Sequence, residues 1–145
     1  MPGVVDELAR VRLFSGLNQR QLRRLAKHVK ERQFRAGVSV VKEGTMSGVG
    51  FFIVADGEAV VSVDGTEVAR LGPGDHFGEL ALITEDVRTA TVTAATRLRC
   101  YVIAFWDFRR FATDNPDVAW KLLQHLAGLL VADRERRARA MLSAA

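Results

Sequence analysis

Residues 59–71 read Ala59-Val60-Val61-Ser62-Val63-Asp64-Gly65-Thr66-Glu67-Val68-Ala69-Arg70-Leu71. Asp64-Gly65 between Val61-Ser62-Val63 and Glu67-Val68-Ala69 is a tight-hairpin signal, because a primed two-residue turn needs positive φ and these two residues tolerate it. Outward from this hairpin the same texture repeats. Val38 to Val41, Phe51 to Val54, Ala59 to Val63, Val68 to Leu71, Ala90 to Ala94 and Leu98 to Ile103 are short and rich in β-branched or aromatic residues. Gly44, Asp56-Gly57 and Gly72-Pro73-Gly74-Asp75 punctuate them. Many short strands separated by turn residues predict a barrel or jelly roll. In the last strand Leu98, Cys100 and Val102 alternate with Arg97, Arg99 and Tyr101, which places Cys100 in the core rather than in a nucleophile's setting.

Helical patterns flank the strands. Val11, Phe14 and Leu17 are helically spaced, Gly16 breaks the run, and Asn18 is a plausible N-cap for Leu22, Leu25, Ala26 and Val29. Arg20, Arg23, Arg24 and Lys27 fall between these apolar positions and are expected to face solvent. After the strands, Phe105, Phe108, Arg109 and Phe111-Ala112 predict a short helix. Asn115-Pro116-Asp117 then places a cap and a proline at the start of a longer one. Val118, Leu122, Leu126, Leu129 or Leu130, and Ala132 mark its stripe, and the polar run Asp133 to Arg137 is expected to interrupt it.

The chain has 145 residues, 48% hydrophobic and 26% charged, the balance of one globular domain. No uncharged apolar run approaches the roughly 18 residues of a membrane helix, and Met1 to Arg10 lacks the order of a signal peptide, so a cytoplasmic protein is expected. One cysteine excludes an internal disulfide framework. The net charge of +4 divides into +6 over residues 1–35, −4 over 36–104 and +2 over 105–145. The basic excess therefore sits on the flanking helices, not on the strands. Seventeen arginines against four lysines hint at a GC-rich bacterial genome.

Residues 73–92 read PGDHFGELALITEDVRTATV. Gly78-Glu79-Leu80-Ala81-Leu82-Ile83 has the wrong alternation for a strand and predicts a single helical turn between two strands. Gly78 permits close backbone approach to a ligand, and a helix start presents free N–H groups to an anion. Arg88, nine residues beyond Glu79, brings a planar cationic fork to the same place. Together they describe a pocket for one phosphate. Glu79 would repel that phosphate, so its oxygens suit a sugar hydroxyl, and the pair implies a nucleotide with few charges.

This segment resembles the phosphate-binding cassette of the cyclic nucleotide-binding domain, found in catabolite activator proteins, cyclic-nucleotide-dependent kinases and gated channels. The matching residues are Gly74-Asp75, Phe77-Gly78-Glu79, Ala81-Leu82 and Arg88-Thr89-Ala90. The resemblance covers nearly the whole chain. It implies a mainly β fold with flanking helices: a helical lead-in (1–31), an eight-stranded antiparallel jelly-roll barrel (32–104) and C-terminal helices acting as lid or dimer helix (105–145). It implies that Arg88 pairs with a cyclic phosphate, that backbone N–H groups near Leu80 and Ala81 take the other oxygen, and that Glu79 accepts from the ribose 2′-OH. Thr89 stands where many cGMP binders carry a hydroxyl. Val68 and Ala69 are candidates for purine contact, and Asp133 and Arg134 lie near where relatives cap or read the base. The expected ligand is cAMP, with cGMP open, and no metal.

Three functions compete on these residues. A ligand-sensing module needs only the cassette and a helix that rearranges over it, acting on an effector protein or domain, with the C-terminal helix as a dimer surface. The alternative is the ligand-binding part of a catabolite-activator-type regulator that lacks its DNA-binding domain. No recognition helix can be placed after Leu142, so DNA binding by this chain alone is not expected. An enzyme of the metal-dependent cupin type needs several histidines inside the strands. Of His28, His76 and His125 only His76 lies there, as an expected loop residue, so no catalysis is expected.

Overall fold

The computed structural model describes residues 3–44, 50–78, 88 and 90–144. The chain opens with α1 (Val4–Ala9), a short 3-10 turn (Arg12–Phe14) and α2 (Gln19–Ala26). Asn18 caps α2 in a reciprocal box: its side chain accepts from the Gln21 N–H at 2.9 Å, and the Gln21 side chain accepts from the Asn18 N–H at 3.0 Å. Eight strands follow: β1 (Lys30–Phe34), β2 (Ser39–Val41), β3 (Gly50–Asp56), β4 (Ala59–Val63), β5 (Thr66–Leu71), β6 (His76–Phe77), β7 (Thr91–Ala94) and β8 (Leu98–Ala104). Two helices close the chain, α3 (Phe105–Asp114) and α4 (Pro116–Ala144).

The strands form two antiparallel four-stranded sheets, ordered β1-β8-β3-β6 and β2-β7-β4-β5. This is the jelly-roll arrangement with flanking helices, and the expected closure into a barrel does not occur among the described strands. The β4–β5 hairpin turns where predicted, with Asp64 at φ +51° and Gly65 at φ +79°. Two strands escape the sequence pattern. β1 is almost wholly exposed and charged, and β6 has two residues, one of them the expected loop residue His76.

Two cores meet at β3, whose unbroken apolar run is required because both of its faces are covered. Phe52 and Val54 point between the sheets with Val41, Ala59, Val92, Leu98, Cys100 and Val102. Phe51 and Ile53 point the other way, into a cluster with Leu8, Phe14, Leu25, Phe108, Phe111, Val118 and Leu122. Each such large side chain contributes about 1.5–3 kcal/mol when fully buried, so the helices are an integral second layer on the β1-β8-β3-β6 sheet.

The last helix departs from expectation in three ways. It runs through Asp133 to Arg137 without a break, since Asp133 pairs with Arg136 and Arg137 one turn on. Of the two alternatives for the core stripe, Leu130 is 65% exposed, and the Leu129 side chain lies outside the described residues. Pro116 starts the helix as expected, but the Asn115 side chain caps the helix before it, donating to the Phe111 carbonyl at 2.9 Å.

Candidate functional site

The site is built where β3 begins and β6 ends. β6 pairs with β3 (Phe52 opposite Phe77, Ile53 opposite His76), and the Phe52 and Phe77 rings stack at 4.8 Å, which fixes the position of Gly78. Gly78 has φ +84°, a left-handed conformation that favours glycine. A Cβ there would lie 2.6 Å from the Gly50 carbonyl oxygen and 2.8 Å from Arg88 Nη1. The Arg88 guanidinium thus rests directly on the Gly78 backbone, and its Nη2 donates to the Gly50 carbonyl at 2.8 Å. Its own carbonyl accepts from the Gly44 N–H at 2.8 Å.

Arg88 is half-buried, and desolvation lowers its pKa from the ordinary arginine value. It stays cationic at any physiological pH, so a partly dehydrated cationic fork faces this site. Such a group suits an oxyanion that can replace lost hydration with a charge-assisted hydrogen bond.

Gly50 is a site residue the sequence reading missed. Its φ is +146°, and a Cβ would fall 2.1 Å from the Ile103 carbonyl oxygen and 3.0 Å from the Phe105 nitrogen. Only glycine fits, and with it the carbonyl that orients Arg88. The available signal was a glycine immediately before the Phe51-Phe52-Ile53-Val54 run.

The predicted residues divide into three groups. Gly78 and Arg88 are brought together. Glu79, Leu80, Ala81 and Thr89, with the predicted helical turn, lie outside the described residues. Val68 and Ala69 are exposed on β5, at the edge of the other sheet, and Arg134 is exposed on α4. Asp133 bonds only within its own helix, and among the described residues no hydrogen bond or ion pair ties α4 to either sheet.

Other features lie elsewhere. A cleft of about 500 Å³ lined by Gln33, Phe34, Arg35, Ala36 and Arg97 sits at the opposite end of the sheets, beyond the Asp56 end of β3. Among the described residues no cluster of three or more His, Cys, Asp or Glu is placed to hold a metal, and no helix is long and apolar enough to cross a membrane.

Against this geometry, the cyclic nucleotide-binding domain family profile matches residues 31–115. The chain belongs to that family. The cyclic nucleotide-binding domain here is 42% identical over 112 residues to a cAMP-dependent protein kinase regulatory subunit of Schizosaccharomyces pombe, covering 77% of this chain and 27% of that one. It superposes on the N-terminal domain of a transcriptional regulator from Streptomyces coelicolor A3(2) with a TM-score of 0.80 and 30% identity, covering 90% and 96% of the two chains. The regulatory domain of Toxoplasma gondii PKA, solved with cAMP, gives a TM-score of 0.65 at 28% identity, over 83% and 48%. The chain spans about a quarter of the length of the yeast relative.

Proposed function

We propose that this cyclic nucleotide-binding domain senses a cyclic nucleotide, cAMP first and cGMP as the alternative, without turning it over. The observation that carries the reading is Arg88, half-buried on the backbone of Gly78 inside the matched segment. In this reading Arg88 takes one oxygen of the cyclic phosphate, N–H groups near Leu80 and Ala81 the other, and Glu79 the ribose 2′-OH. Val68 and Ala69 contact the purine, Thr89 and Asp133 or Arg134 bear on base choice, and the whole chain acts as one module. The nucleotide shifts α4 between two positions, which requires different affinities for the two arrangements. Solved relatives with cAMP in place support the choice of ligand.

Calorimetry with cAMP and cGMP tests this. Wild type is expected to bind at least one, and Arg88→Ala to lose about tenfold to a thousandfold in affinity, the cost of removing a charge-assisted pair. Equal binding by the variant, or none by wild type, sinks the reading. Recovery of the nucleotide unchanged after prolonged incubation is expected, and detectable hydrolysis would overturn the non-catalytic assignment.

A second reading is favoured by the Streptomyces coelicolor likeness: the chain is the sensing part of a transcription regulator, working with a DNA-binding partner. We also propose a homodimer through α4, from the apolar side chains that helix leaves exposed, and a cytoplasmic location.

A further inference from the structure

Five polar side chains, Gln21 and Arg24 with Asn115, Asp117 and Lys121, join the N-terminal helices to the joint between α3 and α4. Gln21 is 4% exposed. Its Nε2 donates to Asp117 Oδ2 at 3.0 Å, and its Oε1 accepts from Lys121 Nζ at 3.2 Å. Arg24, expected to face solvent, is half-buried instead. Its Nη1 donates to Asn115 Oδ1, and its Nη2 lies 3.5 Å from Asp117 Oδ2. Asn115 is held from the other side by its own bond to the Phe111 carbonyl. Beneath these contacts Leu22 and Leu25 pack with Phe111, Val118 and Leu122 in one cluster.

The joint is the place where α4 can change direction. Asn115 is non-helical (φ −130°, ψ 70°), and Pro116 has no N–H to continue the helix of α3. Beyond Leu122 no described side chain of α4 is buried, and Asp133 bonds only within its own helix. The clasp therefore holds α4 in an arrangement in which, among the described residues, no side chain beyond Leu122 is buried and no bond ties the helix to either sheet.

We propose that Gln21 and Arg24 are positioning residues for nucleotide binding: they hold the Asn115–Asp117 joint and so oppose closure of α4 over bound nucleotide. This rests on the reading of the cassette as a cyclic-nucleotide site. A nucleotide that favours the closed arrangement must act against the clasp, and its apparent affinity falls by the closed fraction. Loosening the clasp then tightens binding. Hydrogen bonds to charged groups are strong when buried, but the Asp117 side chain is 57% exposed and that of Arg24 36%, so solvent screens the pair. The expected gain is about five- to tenfold, not hundreds.

The test is calorimetry with cAMP and cGMP on the full chain as wild type, Arg24→Ala and Asp117→Asn, with amide hydrogen exchange over residues 111–122 measured without nucleotide. Tighter binding by both variants together with faster exchange at the joint supports the proposal. Unchanged or weaker binding by a folded variant overturns it, the weaker case placing the clasp in the bound arrangement. If Arg24→Ala does not fold, Asp117→Asn, a nearly isosteric change at an exposed side chain, decides alone. If wild type binds neither nucleotide, the site reading fails and the nucleotide role of the clasp falls with it. Exchange still judges the joint: faster exchange leaves a purely structural clasp, and unchanged exchange removes that too.

Discussion

Arg88 keeps its position because Gly78 leaves room for it and the Gly50 carbonyl accepts from it. The side chain of Arg88 can yield to a new methyl group at Gly78, but the Gly50 carbonyl 2.6 Å away is backbone inside a paired strand and cannot. Gly78→Ala, strained also by its positive φ, is expected to lower nucleotide affinity more than tenfold while costing about 1–3 kcal/mol of stability. Calorimetry and a thermal melt on the same sample check this, and a variant that binds as wild type would show that the close approach is dispensable. Gly50→Ala is expected to fail differently, since its Cβ would strike the Ile103 carbonyl and part β3 from β8. Cys100 gives a third residue-scale expectation. Burial between the sheets pushes its thiol up to about 11, with Arg32 pulling weakly the other way. A thiol reagent at pH 8 should leave the folded chain unmodified and label one group in denaturant; rapid native labelling would contradict the buried assignment. Gly78 and Arg88 were legible because their chemistry follows from local spacing. Gly50 was not, because what forbids a side chain there is a carbonyl on another strand.

Among the elements, the hairpin, the central strands and the capped helix α2 were legible, since each carries its own pattern of alternation, turn or cap. β1 was not. Lys30-Glu31-Arg32-Gln33-Phe34 has no alternation, because its partners on and beside β8 rather than its own pattern stabilise it: Glu31 pairs with Arg99, and Arg97 donates to Gln33 at 3.1 Å. The joint between α3 and α4 was half legible. Asn115-Pro116 marked it, but Arg24 read as a solvent residue because its partners lie some ninety residues away. The joint also carries a pH expectation. The hydrogen bond from Gln21, then the Val118 N–H and the charge of Arg24, hold the Asp117 carboxyl below its usual value. A depressed carboxyl contributes stability above the unfolded value of about 3.9 and loses it as pH falls through the lower folded value. The difference in melting temperature between wild type and Asp117→Asn should be constant from about pH 5 to 8 and shrink below about pH 4. A difference that grows on acidification would reverse the assignment.

At the scale of the whole molecule the charge pattern and the exposed apolar surface point to different things. The overall positive charge sits on the flanking helices, while the segment from 36 to 104 that includes the cassette is net acidic and presents a single half-buried arginine there. That suits a ligand with one negative charge better than a polyanion. Apolar exposure, in contrast, is concentrated on α4. Trp120, Leu123, Leu130 and Val131 are 60%, 56%, 65% and 53% exposed. With Ala127 they recur at three and four residues on the face opposite Val118, Leu122 and Leu126, which pack toward the core. An apolar stripe of this kind on one helix is a surface that a helix pair would cover. The homodimer proposed above would cover it, and would bring α4 of each copy beside its partner rather than over its own cassette. The two roles of α4 then compete, so dimerisation and nucleotide affinity should be linked. Sedimentation equilibrium is expected to give a dimer for wild type and a monomer for Leu123→Glu combined with Leu130→Glu, with helix content preserved because neither side chain enters the core. Calorimetry on the monomeric variant should then give tighter nucleotide binding than wild type. A wild-type monomer at millimolar concentration would remove the dimer, and unchanged affinity in a true monomer would remove the competition.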